Sequence, residues 1–444
     1  MAAPLASTLR IAISGAGMGG LATALALAHQ GFSNISIYES ASNLGFVGAG
    51  IQVAPNLSRV LQKLGAWDHL KDNVVEMKEA SIRASATDEE LAHVGLTHIP
   101  ERYGHPHCVA HRSSLASALY DGCKTMGSAI TFHFRTNVLD IDFDHTRLLV
   151  KERGEQGNGR WIDTDVILAA DGVKSLVRKH MVARNGEEDN VKDTGQAAYR
   201  IMLTRDQMAH DPELLALVES NTTFRWIGPR RHIIAYPVSR NTIFNISSAQ
   251  PDVNFAGEPD STWTAKSDKG AMLKMYSDFC PLVMRLLQLV PEGDVCEWKL
   301  RVHAPLKTWI EGNVALVGDA CHPTLPHLNQ GAAQAIEDGA VLGVVLGKLT
   351  DKKGLHAALK VYERLRKQRA EYLVEQAAAS GRTLQLTDPT AQAQRDEAFR
   401  QVKNGGPNPD KAVDREVQDY VFGYDCIADA ESHFDEFLAV EKST

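Results

Sequence analysis

Disulfide pairing, basic charge and long apolar runs are all missing from this chain of 444 residues, and each absence narrows what it can be. The six cysteines (Cys108, Cys123, Cys280, Cys296, Cys321 and Cys426) are scattered with no C-x-x-C pair. That excludes a disulfide-stapled secreted scaffold and suits reduced thiols in a cytosolic setting. Lysine and arginine number 47 against 55 aspartates and glutamates, a formal net charge of -8. With no basic stripe, a nucleic-acid partner is not expected. The longest apolar candidate, AVLGVVLG from Ala340, falls far short of the roughly 18 residues that a membrane span needs. The opening MAAPLASTLRIAISGAG has no charged segment followed by an apolar run of signal length. A soluble, cytoplasmic protein with no membrane partner is therefore expected. The length is too great for one simple core, and the 44% hydrophobic content is ordinary, so two or three globular units are predicted.

The strongest stretch present is LRIAISGAGMGGLATALALAHQGFSNISIYES. A short buried strand over Leu9 to Ser14 leads into Gly15, Gly17 and Gly20, a G-x-G-x-x-G turn opening an Ala/Leu-rich helix that Gly31 ends. The three glycines act differently. Gly15 makes the tight turn, Gly17 lets backbone approach a pyrophosphate, and Gly20 lets helix and strand pack closely. The helix start offers unpaired N–H groups to phosphate. A second strand, Ile35 to Tyr38, runs into Glu39, placed to accept from a ribose hydroxyl. A dinucleotide is expected here, and Glu39 suits the adenosine ribose of NAD or FAD alike.

Two later segments repeat the theme of an apolar strand ending at an aspartate beside a glycine. VILAADGVKSLVRK gives Asp171-Gly172, with Ser175 and Arg178 further on. NVALVGDACHPTLP gives Gly318-Asp319, followed by a helix from about Gly331 in NQGAAQAIEDG. Such an aspartate can hydrogen-bond a polyol without steric conflict, and the N–H groups of Gly331 and Ala332 can turn toward a carbonyl or anion. Singly, each is more often a plain turn. Beside the N-terminal loop they gain weight.

Together these motifs resemble the group A flavoprotein aromatic hydroxylases, the 4-hydroxybenzoate hydroxylase-like family, and DREVQDYVFGYDCIADAESHF is similar to the tail of fungal salicylate hydroxylase-like members. The resemblance implies an α/β fold: a Rossmann-type FAD-binding domain (parallel sheet with helices on both faces), a mixed-sheet substrate domain and a helical C-terminal tail. The implied division is 1–82, 107–183 and 296–354 for FAD, 83–106 and 184–295 for substrate, and 355–444 for the helical region. It implies FAD as cofactor, with the late Gly-Asp segment around the ribityl chain and isoalloxazine, and NADH or NADPH as co-substrate. GAGIQVAPN from Gly48 looks like the family's flavin-side segment, suggesting roles for Gly50, Gln52 and Val53, and HRSSLASALY looks like its Arg-x-x-Leu helix start, with Arg112 reaching FAD. One departure is visible: the usual Gly-Ala-Asp-Gly reads Ala169-Ala170-Asp171-Gly172. Disulfide reductase-type flavoenzymes would carry a second G-x-G-x-x-G and a redox C-x-x-x-x-C, and neither is found.

Between the second and third signals, QAAYRIML, TTFRWIGP, RHIIAYPV and NTIFNISS read as strands of a mixed sheet, while DPELLALVES and KGAMLKMYSDFCPLVMRLLQLV read as helical. LHAALKVYERLRKQRAEYLVEQAAASG reads as a long amphipathic helix. Arg200 sits in an otherwise apolar strand, so it must face solvent, a partner or an anion. In RHIIAYPV, His232, Ile234 and Tyr236 share one face. The family's reaction passes through a flavin C4a-hydroperoxide that oxygenates an electron-rich ring, and Arg200 could favour a phenolate there. The resemblance makes His327, just after Pro326, the first candidate base and Tyr236 the second. Each also has a plain structural reading: an ion pair within the sheet for Arg200, a half-buried aromatic for Tyr236, packing for His327. His105, His107 and His111 lack a carboxylate or thiol to complete a metal site, so no metal is expected. The expected substrates are a small aromatic compound, O2 and NAD(P)H. The expected activity is hydroxylation of a phenolic acid, salicylate 1-hydroxylase-like and decarboxylating. A dearomatising hydroxylase or epoxidase of fungal secondary metabolism stays open, as does a flavin-binding protein or NADH oxidase without hydroxylation.

Overall fold

A computed structural model describes residues 5–44, 49–255, 262, 264–266, 268–293 and 295–443. The glycine-rich stretch builds a β-α-β unit: strand Ile11–Ser14, helix Met18–His29 and strand Ile35–Tyr38. These join a six-stranded sheet in the order Ile310–Glu311, Val314–Leu316, Val166–Ala169, Ile11–Ser14, Ile35–Tyr38, Ile130–His133, parallel except for its first strand. The parallel register brings the ends of Ile11–Ser14, Val166–Ala169 and Val314–Leu316 side by side. All three motif turns therefore leave the same edge of one sheet, where ligands of parallel sheets gather. Helix Met18–His29 packs between Arg112–Thr125 and Gly331–Gly347. The small residues of Gly331–Gly347 have a packing reason: a Cβ on Gly339 would lie 2.6 Å from the Thr23 nitrogen, and one on Gly343 would lie 2.8 Å from the Ala26 Cβ.

The second sheet is mixed and eight-stranded: Thr264–Lys266, Cys296–His303, Val191–Thr204, Ile243–Pro251, Arg231–Val238, Thr222–Gly228, Glu79–Ala84, Glu90–Gly95. Among the described residues of this sheet, Thr222–Gly228 with Glu79–Ala84 is the one parallel pair. Strand alternation gives the sheet two chemically distinct faces. One face, with Tyr199, Ile201, Trp226, Ile233, Ala235, Phe244 and Ile246, forms an apolar core with helices Pro212–Glu219, Lys269–Met275 and Pro281–Gln288. The expected helical region forms two helices, Lys269–Met275 and Pro281–Gln288, with Pro281 at the first position of the second, where its missing N–H costs nothing. The opposite face carries Arg200, Arg225, His232, Ile234, Tyr236, Asn245 and Ser247 toward the first sheet. The sheet also takes in 79–82 and 296–303, beyond the expected 83–106 and 184–295, because hydrogen-bonded pairing across distant segments decides membership.

The C-terminal region is helical as expected. Its longest element, Leu355–Leu384, packs on Gly331–Gly347 and on Cys426–Glu441. Among the described residues no helix is long and apolar enough to cross a membrane.

Candidate active site

Two cavities meet end to end where the motif turns converge. The first, about 450 Å3, is lined by Gly15, Gly17, Tyr38, Glu39, Asp171 and Gly172. The second, about 350 Å3, runs from Gly17 past Arg112 and Gly318 to the polar face of the second sheet. They share Gly17, Ala170 and Gly172 as walls, making one elongated trough. Its local chemistry fits a dinucleotide. A Cβ on Gly17 would meet nothing within 4 Å, so that face of the turn is open, while one on Gly20 would lie 2.0 Å from the Gly15 oxygen. Gly15 sits at φ +97, in the region that favours glycine. Glu39 Oε2 accepts from the Ala16 N–H at 2.9 Å, and Oε1 accepts from the Ala41 N–H at 2.8 Å, which fixes the carboxylate at the trough's end.

Asp171 is divided in its duties. Its Oδ2 accepts from the N–H groups of Leu176 and Val177, at 2.9 and 3.3 Å, capping helix Leu176–Arg184. Its Oδ1 is buried without a partner, and burial raises the acid above its usual range. An orphaned buried acceptor in a polar trough calls for a hydroxyl donor. Arg178, fully buried, donates to the Ala320 carbonyl at 3.2 Å and to the Val173 carbonyl at 2.9 Å, tying the second and third turns together.

Behind the third turn lies a buried ionic cluster. Asp338 Oδ2 accepts from the Gly318 N–H at 3.0 Å and pairs with His322 Nε2 at 2.6 Å, while Oδ1 accepts from Arg366 Nε at 2.9 Å. Arg366 also pairs with Glu337, and Arg369 with the same carboxylate. Burial pushes the Asp338 carboxyl up, but His322 and Arg366 outweigh it and hold the group down at about 2. Cys321, His322 and Asp338 lie close enough to share a cation. Here Arg366 already neutralises the carboxylate, and burial holds the Cys321 thiol well above its ordinary pKa. The trio acts as a buttress that aims Gly318 and Asp319 into the trough. Of the expected metal-tempting histidines, His107 pairs with Gln52 at 3.1 Å and His111 with Ser113.

At the far end the second sheet supplies cations and aromatics. Arg200 is partly withdrawn from solvent, with its guanidinium 4.8 Å from the Trp298 ring centre. Burial, helped by nearby Arg112, lowers it to about 10. Among the described residues no acid forms an ion pair with it. Arg225 is buried and pairs with Asp410 at 3.2 Å, leaving its Nη1 unpartnered. Tyr236 is buried, and burial raises its phenol above the ordinary value against the pull of Arg200. His327 is only 2% exposed, has both ring nitrogens unpartnered and stands 5.1 Å from the His232 ring. Burial, then Arg225, lowers His327 to about 3. Such an imidazole is neutral at pH 7 and a weak base.

The structure gathers Gly17, Gly50, Gln52, Arg112, Gly172, Arg200, Tyr236, Gly318, Asp319, Pro326, His327, Gly331 and Ala332 on the second cavity. Gly15, Glu39 and Asp171 line the first. Gly20 packs helix on strand beneath them. Val53 lies apart: it is fully buried in the main apolar core, with its strand neighbour Gln52 on the cavity wall. Gly48 lies outside the described residues. Gly50 has a packing role as well, since a Cβ there would fall 2.5 Å from Asn245 and 2.6 Å from Tyr236. Sequence reasoning misses Arg225, although it carries the same signal as Arg200, an arginine inside an apolar strand. Asp410 and Asn245 offer no such signal.

A dinucleotide trough that opens onto the polar face of a second sheet defines the class: an enzyme that presents a small molecule to a long cofactor. Residues 8–248 and 291–377 match the FAD binding domain family. The FAD-dependent monooxygenase ntnJ of Nectria sp is 31% identical over 401 residues, covering 90% of this chain and 91% of that protein. 3-hydroxybenzoate 6-hydroxylase 1 of Aquipseudomonas alcaligenes is also 31% identical, covering 80% and 84%. A salicylate hydroxylase solved as a substrate complex shares the fold, with a TM-score of 0.77 at 22% identity over 96% of this chain and 98% of that one. The chain belongs to the group A flavoprotein monooxygenases and is an FAD-dependent aromatic monooxygenase, with the NAD(P)H co-substrate typical of that family.

Proposed function

We propose that this enzyme hydroxylates a phenolic aromatic acid of the salicylate type, with loss of the carboxyl group where hydroxylation falls on the carbon that bears it. The observation that carries this reading is the pair of guanidinium groups facing one cavity, Arg200 without an acid partner and Arg225 with a free Nη1. A ring bearing a phenol and a carboxylate has two acidic groups for two cations.

In this reading Gly15, Gly17 and the start of helix Met18–His29 hold the cofactor's pyrophosphate, and Glu39 holds its adenosine ribose. The unpartnered Asp171 Oδ1, Arg112, Gly318, Asp319, Gly331 and Ala332 hold the ribityl and flavin part. FAD supplies, when bound, oxidation of NAD(P)H and delivery of one oxygen atom from O2. The chain's own share is substrate ionisation and placement. A phenol with pKa near 10 costs about 4 kcal/mol to ionise at pH 7. One cation at about 4 Å with an effective dielectric near 20 returns about 4 kcal/mol. Arg200 is cast as that cation and Arg225 as the carboxylate anchor. His327, neutral and weakly basic, takes the role of hydrogen-bond acceptor for the phenolic O–H rather than of a strong base. Tyr236 stays protonated and donates. Pro326 shapes the turn that presents His327.

The test is NADH oxidation by the FAD-loaded enzyme with and without salicylate and other hydroxybenzoates, with chromatography for ring-hydroxylated product and an assay for peroxide. Stimulated oxidation with product formed in step is expected. Oxidation that yields only peroxide with every phenolic acid overturns the reading.

A further inference from the structure

A third cavity, about 710 Å3, lies on the outer side of the catalytic one and shares a single wall residue with it, His327. Its lining carries an apolar patch of Val302, Pro305, Leu325, Val374 and Ala378 beside the strand residues Thr194, Gln196 and His303, and its charged residues Glu371, Glu375 and Arg382 stand on helix Leu355–Leu384. The wall is thin because the chain alternates between the two spaces: Thr324 and Pro326 line the inner cavity, Leu325 the outer, and His327 both. Nothing polar pins His327 in place, since both ring nitrogens lack partners. Its ring is seated on Gly381, where a Cβ would fall 2.4 Å from Cδ2. Helix Leu355–Leu384 thus keeps a side-chain-free position for a ring that holds no hydrogen bond.

We propose that the outer cavity is a substrate subsite: it takes an aliphatic arm on the aromatic ring, with His327 turning aside as the partition through which the arm passes. The division of chemistry supports this occupant. The inner cavity concentrates guanidinium groups that suit an acid and a phenol, whereas the outer cavity has no buried lysine or arginine in its lining and its apolar patch suits methylenes. The inference rests on the reading that the inner cavity takes a phenolic acid, and it narrows that class to alkyl-bearing phenolic acids.

The experiment uses the FAD-loaded enzyme and salicylates carrying either a methyl or a pentyl group at C3, C4, C5 or C6 in turn. Binding is read from the perturbation of flavin absorbance. At one ring position the pentyl compound is expected to bind at least about tenfold tighter than its methyl partner, the modest end of what burying four further methylenes gives. Ala378→Trp and, independently, Val374→Trp fill the outer cavity and should erase that gain while leaving the methyl compounds and the KM for NADH unchanged. Two variants guard against one that fails to fold. Equal affinity of pentyl and methyl compounds at all four positions overturns the subsite, although the phenolic-acid reading survives if the methyl compounds bind. A raised NADH KM in the variants with the pentyl gain intact also overturns it and assigns the cavity to the pyridine nucleotide. No perturbation by any compound defeats both claims together.

Discussion

Replacing Arg200 by methionine should move stability and activity in opposite directions. Burial and Arg112 lower this guanidinium from 12.5 to about 10, and a lowering of that size corresponds to about 3 kcal/mol of destabilisation while the group stays charged in the fold. The folded pKa lies below the unfolded one, so the unfolded chain holds the proton more tightly. The penalty is therefore fully present at neutral pH and is relieved only as pH rises from about 10 toward the unfolded value. Methionine removes the charge and keeps much of the packing on Trp298, so the apoprotein of Arg200→Met should gain about 1–2 kcal/mol, a Tm rise of about 1–2 °C for a chain of this length. The enzyme should lose about 10²-fold or more in kcat/KM for a phenolic acid, because the cation that favours the phenolate has gone. The acid limb of its pH profile should move upward by a unit or more, since the bound phenol then ionises later. Thermal unfolding of the apoprotein, with NADH consumption and product formation followed from pH 6 to 9, measures all three. An apoprotein less stable than wild type, or activity within about threefold with an unmoved acid limb, would refute the reasoning.

Two glycines of the first turn should separate cofactor binding from folding. Gly17→Ala places its Cβ in open space and should leave the apoprotein's Tm unchanged while weakening FAD at least about tenfold by flavin fluorescence titration; Gly15→Ala meets the Ala170 oxygen at 2.5 Å with φ +97 and should destabilise the fold by about 2 kcal/mol or more. Arg366→Met removes the cation that Glu337 and Asp338 share, leaving them only Arg369 and His322, and should cost about 3 kcal/mol in urea unfolding. Asp338 is depressed to about 2, so its contribution is intact above pH 4 and lost as pH falls toward 2, and Asp338→Asn should flatten that part of the acid-unfolding curve. His232 and His327 are depressed by burial, so here stability falls as pH drops below the ordinary histidine value of about 6.5 toward the folded value; His327→Asn should shrink the fall between pH 6.5 and 4. In NMR the His327 imidazole should remain neutral down to pH 5.

The β-α-β unit, the three turns and the long C-terminal helix were legible because each is local. Glycine spacing, alternating apolar residues and small-residue helices act within about thirty residues, and Ile11–Ser14, Met18–His29 and Ile35–Tyr38 form where those patterns place them. Arg200 was legible for a related reason, since a charge in an apolar strand has to be explained wherever the strand goes. Its neighbours were not. Arg225, Asn245 and Asp410 come from separate strands and a distant loop, and no spacing in one segment encodes a partner some 185 residues away, as Asp410 is from Arg225.

The chain's order of residues settled which segments could hold a dinucleotide, because tight turns and helix starts answer to their own glycines and N–H groups. Packing settled what those segments face. Parallel pairing put three turns on one sheet edge, and strand alternation sent Trp226 and Phe244 into the core while Arg225 and Asn245 met the cavity. Burial then changed the chemistry of the groups it enclosed. His327 is lowered to about 3 and is therefore neutral at pH 7, because removing water penalises its charged form and Arg225 adds to the penalty. Solvation is a property of the folded neighbourhood, and it is set only once distant segments have closed over the side chain.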